Sequence, residues 1–332
     1  MSELRFSVRV NNDIPADELI ELARAVEDAG FDQLWVANDL FLRSAPALIG
    51  RLSAHTDRLH LGIGVVNPYS MHTSEIAMTA ATLQELTQGR FLLGLGAGAA
   101  EFLGWVGLHQ DSPLAGTRRA LEQLAAARHG HIPSGWDRAA HLRFEAAPAP
   151  IYVGAMGPRM LALAGELADG ALPLLYPPEH YASAAAQIAS GADRAGRDVS
   201  ELDIAACIWV SIDEDPERAA RPLAEKLAYY GASFSPVLLR QAGLTPSDFD
   251  PIQRAMNEGR SEEGIAMVTD EMLQLGIAGT TQDVIERCRG LVAQGARHVS
   301  FGPPLGPDPV GAVNRLGSEV LPALRAQPGL SR

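Results

Sequence analysis

The feature that most constrains this chain is its rhythm: short β-like runs alternate with helical patterns along most of its length. The runs fall at Arg5–Val10, Gln33–Ala37, Leu59–Val66 and Arg90–Leu95, with helical patterns at Ala16–Ala29, Ala45–Ala54 and Ser74–Leu86 between them. In the first helix Leu19, Ile20, Leu22, Ala23 and Val26 recur at helical spacing, and Gly30 suits the left-handed position that closes a helix. Strand, helix and strand repeated in this way mean parallel strands joined by crossover helices. The alternation continues with strands predicted at Ile151–Ala155, Ala171–Leu174, Asp203–Ile212 and Arg297–Gly302. Helices are predicted at Thr117–Arg128, Arg159–Ala168, Glu179–Ala195, Pro216–Ala228, Thr281–Gln294 and Pro309–Leu324. Gly231–Thr280 interrupts it with Pro236, Gly243, Pro246, Pro251 and Gly259, and reads as an insertion of short helices. Eight strands without a dividing linker predict one domain over residues 1–332. Its class is α/β, a (βα)8 TIM barrel with the insertion at 230–280, preferred to an open doubly wound sheet.

Composition narrows the chemistry. The chain has 27 basic and 40 acidic residues, a net charge of −13, and among the basic residues a single lysine, Lys226. Such a balance disfavours nucleic acid or an anionic membrane as a partner held by bulk charge. One lysine argues against Schiff-base and pyridoxal-phosphate chemistry, which needs a buried amine. Cys207 and Cys288 stand far apart and read as small buried hydrophobes, not as a disulfide framework or metal site. No basic segment leading into an apolar run opens the sequence, and no apolar run reaches about 18 residues, so a soluble, cytoplasmic protein is expected.

In a barrel the site is built where strands end and loops begin. Here those ends read Asn38-Asp39, Gly64-Val65-Val66-Asn67-Pro68-Tyr69, Gly94-Leu95-Gly96-Ala97-Gly98, Gly154-Ala155-Met156-Gly157-Pro158 and Gly302-Pro303-Pro304. Pro158 at the first position of a helix leaves N–H groups pointing outward, either an anion cradle or an ordinary turn. Gly94, Gly96 and Ala99 have the form of a dinucleotide fingerprint, but on the fourth strand and without an acid about 20 residues on. A glycine loop approached closely by a planar ligand is the better reading. Asp39 is either a satisfied loop carboxylate or a site residue. His129 and His131 read as a solvated loop, and no metal site is expected. Asp213, Glu214 and Asp215 read as charges at a helix N-terminus, and Tyr229 and Tyr230 as packing for the insertion.

At these strand ends the chain resembles the bacterial luciferase-like superfamily, in particular its branch of coenzyme F420-dependent methylenetetrahydromethanopterin reductases. The resemblance runs through Leu61–Tyr69, Ala81–Arg90, Gly94–Gly98, Gly154–Leu161, Ala164–Gly170, Ser211–Pro216 and Gly302–Asp308, in order along nearly the whole chain. It implies a TIM barrel binding a deazaflavin, or a flavin, across its C-terminal mouth. It also implies a non-prolyl cis peptide at Gly64–Val65 behind the ring. Gly96, Ala97 and Gly98, with Ala155, Met156, Gly157 and Pro158, would contact ring and phosphate, while Asp39 and Asn67 would sit at the ring's polar edge.

The departures from that pattern carry as much information. A first-strand Glu that does proton work in those reductases is Arg9 here, the His that often follows the second-strand Asp is Leu40, and the acid after the fourth-strand glycines is Ala99. The expected activity is therefore hydride transfer from reduced coenzyme F420 to a small organic electrophile other than methylenetetrahydromethanopterin. Arg9 would polarise a carbonyl or clamp a carboxylate. Asp39 or Glu101 would be the remaining proton donor, assisted by His72 or Tyr69. Rival readings are an FMN-dependent monooxygenase, a flavin-free NAD(P)H-dependent reductase on the same barrel, and a non-catalytic cofactor-binding protein. The expected partners are a small-molecule substrate and, from the resemblance, further copies of the chain in a homodimer or higher homo-oligomer.

Overall fold

The apolar runs pair in the order in which they occur. The computed structural model describes residues 4–174, 176–234 and 236–326. Its strands are β1 (Arg5–Val10), β2 (Gln33–Val36), β3 (His60–Val66), β4 (Phe91–Leu95), β5 (Ile151–Ala155), β6 (Gly170–Pro173), β7 (Asp203–Ile212), β8 (Ile277–Gly279) and β9 (His298–Leu305). All pair in parallel: β1 through β7 in sequence, β7 with β9, and β9 back with β1, which closes an eight-stranded TIM barrel. Parallel strands are covered on both faces, which is why β2 and β4 are buried at every position.

The insertion is not helical throughout. Four short helices occupy Pro236–Gln241, Asp250–Asn257, Ser261–Ala266 and Asp270–Leu273, but Ile277–Gly279 forms β8. The reason is an open edge: β6 covers only Asp203 and Ile204 of β7, and β8 pairs further along at Val210–Ile212. An apolar cluster of Leu223, Leu227, Phe234, Leu239, Phe249 and Ile252 joins the insertion to helix Pro216–Tyr230. Other boundaries also moved. A helix at Ala100–Trp105 follows the fourth-strand glycines, and β9 runs on to Leu305, so Gly302-Pro303-Pro304 lies within a strand.

Strand alternation sends every second side chain into the barrel. There Trp35, Leu92, Tyr152, Leu172, Ala205 and Cys207 pack together, with the Trp35 and Tyr152 rings 4.9 Å apart at 70°. The interior nearer the N-terminal ends of the strands is polar. Asp203 accepts from Tyr152 Oη (2.8 Å) and Gln33 Nε2 (3.1 Å), lies 3.2 Å from Arg5, and pairs with His298 Nδ1 at 3.0 Å. His298 Nε2 lies 2.7 Å from Ser7 Oγ, which donates to Ser300 Oγ (2.7 Å), and Arg9 Nε donates to the same hydroxyl (3.2 Å). A continuous polar string thus runs from Arg5 up to Arg9 at the mouth. Its Ser7–His298–Asp203 segment has the residue types of a nucleophilic triad, yet Ser7 and His298 are sealed in the barrel and no substrate reaches them.

Outside the barrel, helices Pro158–Leu167 and Tyr181–Arg194 touch backbone to backbone. A Cβ on Gly165 would lie 1.9 Å from the carbonyl oxygen of Ile188, and one on Gly191 1.9 Å from that of Ala162. Neither contact can be relieved by turning a side chain. Gly165→Ala is expected to cost about 2–3 kcal/mol through forced separation of the helices, read as a lower urea midpoint at unchanged slope. A loss under about 0.5 kcal/mol would contradict this packing.

Candidate active site

The mouth of the barrel has two unlike sides. The side built by β3, β4 and β5 is a wall cleared of side chains. Gly64–Val65 is a cis peptide, as the resemblance implied. The Val65 side chain fills the space left by glycines at the ends of β4 and β5: a Cβ on Gly96 would lie 2.7 Å from its Cγ2, and one on Gly154 2.8 Å from its Cγ1. What remains exposed is backbone and one branched aliphatic group, a surface suited to the face of a planar ring.

The loops flanking this wall are fixed by their own hydrogen bonds. Asn67, nearly buried, accepts from the N–H groups of Tyr69 (3.0 Å) and Ser70 (2.9 Å), which turns the chain out of β3. Its amide nitrogen donates to no partner among the described residues and lies beside Gly98. Gln110 Nε2 donates to the carbonyls of Ala97 and Gly98 and so pins the glycine loop. Ala155 at the end of β5 is buried, Met156 beyond it is exposed, and the Met156 carbonyl accepts from Tyr176 Oη (3.3 Å). Helix Pro158–Leu167 then starts at Gly157 with Pro at its first turn, no side-chain cap and no acid. Nothing stands within 4 Å of where a Gly157 Cβ would be. The dipole and free N–H groups there, with exposed Arg159 alongside, favour an anion.

The opposite side is charged. Arg9 enters the mouth from β1, where Nη2 donates to the carbonyls of Ile208 (2.7 Å) and Ser300 (3.4 Å) while Nη1 has no partner among the described residues. Gly302 makes room for it, since a Cβ there would lie 2.2 Å from Nη2. Asp39 is half-buried behind β2. Asn12 holds its backbone at both N–H and C=O, but its carboxyl group accepts no hydrogen bond among the described residues. Desolvation raises its pKa, opposed by the positive charge of Lys226.

Lys226 is the residue that sequence reasoning missed. It projects from helix Pro216–Tyr230 to place Nζ 3.3 Å from Asn11 Oδ1, 4.3 Å from the Tyr230 ring centroid and 5.6 Å from that of Trp209. A signal was present: Ala219, Leu223, Lys226 and Tyr230 follow 4-3-4 spacing, so the chain's lone lysine sits in the apolar stripe of its helix.

Other candidates are placed elsewhere. His72 is exposed and caps helix Thr73–Leu86, its Nδ1 accepting from the Ser74 N–H (3.2 Å), with Trp136 stacked at 6.0 Å. Tyr69 Oη donates to the Ser112 carbonyl (3.1 Å). Glu101 is exposed in the first turn of helix Ala100–Trp105. Lys226 lies close enough to feel the charges of Asp39 and Arg9, whereas His72, Tyr69 and Glu101 are linked to none of the three by any described contact.

Known proteins resemble this chain over nearly its whole length. The luciferase-like monooxygenase family model matches residues 3–298. A 5,10-methylenetetrahydromethanopterin reductase of Archaeoglobus fulgidus is 31% identical over 97% of this chain and 100% of its own. An F420-dependent glucose-6-phosphate dehydrogenase of Nakamurella multipartita is 29% identical, covering 94% of each chain. Among solved structures, the coenzyme F420-dependent tetrahydromethanopterin reductase of Methanopyrus kandleri superposes with a TM-score of 0.87 at 26% identity, over 97% of this chain and 100% of that one. By sequence and by fold, this chain belongs to the luciferase-like monooxygenase family.

Proposed function

We propose that the chain is a coenzyme F420-dependent oxidoreductase that delivers hydride to a carbonyl group of a small organic substrate. The observation that carries the reading is the two-sided mouth, a glycine-cleared wall facing a pair of cations, Arg9 and Lys226. The residues present fit a deazaflavin. Val65 with its glycines would back the ring, Asn67 Nδ2 would meet its polar edge, and the uncapped helix start at Gly157–Arg159 would take its anionic tail. The F420 dependence named for relatives from Nakamurella and Methanopyrus supports this choice. When bound, reduced deazaflavin supplies a hydride.

The chain's own residues then decide which electrophile reacts. A carbonyl oxygen gains negative charge as its carbon accepts hydride, and the open Nη1 of Arg9 and the Lys226 ammonium both favour that charge. A substrate that must first become cationic meets two positive groups where an acid would help it. For that reason the proposed substrate is not methylenetetrahydromethanopterin, despite the reductases among the relatives.

Anaerobic turnover of reduced F420 against a carbonyl panel and methylenetetrahydromethanopterin tests this directly. Cofactor oxidation with carbonyl compounds and no methylated pterin is expected. A methyl product, or oxygen consumption with reduced FMN, would contradict it. Arg9→Met is expected to lower kcat/KM for the carbonyl substrate about 10²-fold, by analogy with loss of one oxyanion donor, with F420 affinity retained. No helix among the described residues is long and apolar enough to cross a membrane. Phe41 (73% exposed) and Trp105 (55%) meet in an apolar rim beside the mouth, and we propose that a second copy of the chain covers it, which light scattering would read as at least a doubled mass.

A further inference from the structure

We propose that Lys226 is the residue that hands a proton to the substrate, working from a box formed by Asn11, Trp209 and Tyr230. The inference rests on the carbonyl-reduction reading above and adds the acid which that reading leaves unnamed.

A lysine ordinarily keeps its ammonium in water. This one does the reverse, leaving the outer face of its helix for the strand ends of the mouth. Asn11 follows β1 and Trp209 lies on β7, so the amine meets groups from two barrel strands as well as Tyr230 of its own helix. Two aromatic faces and one carboxamide oxygen hold it, with no carboxylate in ion-pair contact among the described residues. Asp39 and Asp13 act on it only at longer range in favour of the charged form, and Arg9 acts against it. The Tyr230 hydroxyl stays neutral, its pKa raised by burial and by the nearby acids. Burial dominates, pushing the ammonium down from 10.5 to about 8. A donor poised there is charged at neutral pH yet gives up its proton readily. Arg9 cannot do the same, because a guanidinium does not deprotonate in a protein.

The step balances with reduced deazaflavin as the named hydride source. The carbonyl carbon accepts the hydride and forms the new C–H bond, and the C=O π pair moves onto oxygen. One Nζ–H bond breaks as the O–H bond forms. The products are an alcohol, oxidised cofactor and a neutral amine. The neutral amine then takes a proton back from solvent, and the negative charge of Asp39 favours its charged form.

Because Lys226 is the only lysine, protein labelled with ¹³C at lysine Cε gives one side-chain signal, and its titration needs no cofactor. The expected midpoint is near pH 8, moving lower in Asp39→Asn, and kcat/KM for carbonyl reduction should fall above the same pH. Lys226→Met should lose at least about 10²-fold in that rate, the usual share of general acid catalysis, while F420 affinity changes less than about twofold and the Tm does not fall. Lys226→Arg, which keeps the charge without a transferable proton, should not restore the rate. A lysine signal titrating at its ordinary value near 10.4, or full activity in Lys226→Met, overturns the assignment while leaving the F420 reading intact. Failure of the wild-type chain to bind F420 overturns that reading, and the role of Lys226 falls with it.

Discussion

Replacing Asp203 by Ala is expected to remove about 3–5 kcal/mol of folding stability, the range for breaking a buried ionic pair by deleting one partner. The cost arises because four groups converge on this carboxylate. Without it the Tyr152 hydroxyl, the Gln33 amide and the His298 ring are stranded inside the barrel, and Arg5 loses its partner at the edge. Burial alone would raise the pKa of Asp203, but His298, Tyr152 and Arg5 together hold it well below the usual carboxylate range. A carboxyl whose pKa is depressed on folding stabilises the fold above its unfolded value and loses that contribution as pH falls through the folded one. The gap between wild type and Asp203→Ala should therefore be full at neutral pH and shrink below about pH 4. Urea unfolding at several pH values measures both. A gap below about 1 kcal/mol at pH 7, or one that widens in acid, would show that the string is not held together at Asp203.

The second large effect concerns binding. Gly96→Ala and Gly154→Ala each place a methyl within 2.7–2.8 Å of the Val65 side chain. In either variant Val65 must move towards the mouth, where the ring is proposed to lie. A loss of about 2–3 kcal/mol in F420 binding, roughly 30- to 150-fold in Kd, is expected from each, with far less effect on the Tm than Asp203→Ala. The variants share a mechanism, so Val65→Ala should rescue both. That coupling is what separates a steric push through Val65 from general damage, and a double-mutant cycle reads it. Additive losses, with no rescue, would mean that the glycines serve something other than room for Val65.

Much of the barrel was legible because its cause is local and repetitive. Alternating periods of two and 3.6 along β1–β5 and their helices leave few other ways to bury so many apolar residues. The glycine wall was also visible as Gly94, Gly96 and Gly154 at strand ends, although the role of Val65 in filling it was not. β8 escaped detection because three residues carry no period, and their strand state comes from an edge that β6 leaves open, a tertiary fact. The Asp203–His298–Ser7 string was hidden for the same reason: its members are up to 291 positions apart and meet only on ring closure. His72 drew notice as a titratable group near a strand end, yet its position before Thr73 equally suited a helix cap, and the ring lies there. For Lys226, composition spoke only against Schiff-base and pyridoxal-phosphate chemistry, whereas its place in an apolar helical stripe was the signal that the amine is half-buried against Trp209 and Tyr230.

The central claim is that this mouth is built for a deazaflavin, and titration of the chain with oxidised F420, FMN and NADPH, followed by fluorescence quenching, tests it most directly. Saturable binding of F420 that weakens in Gly96→Ala, with no saturable binding of FMN or NADPH, is the predicted result. Tight binding of FMN with none of F420 would contradict the account.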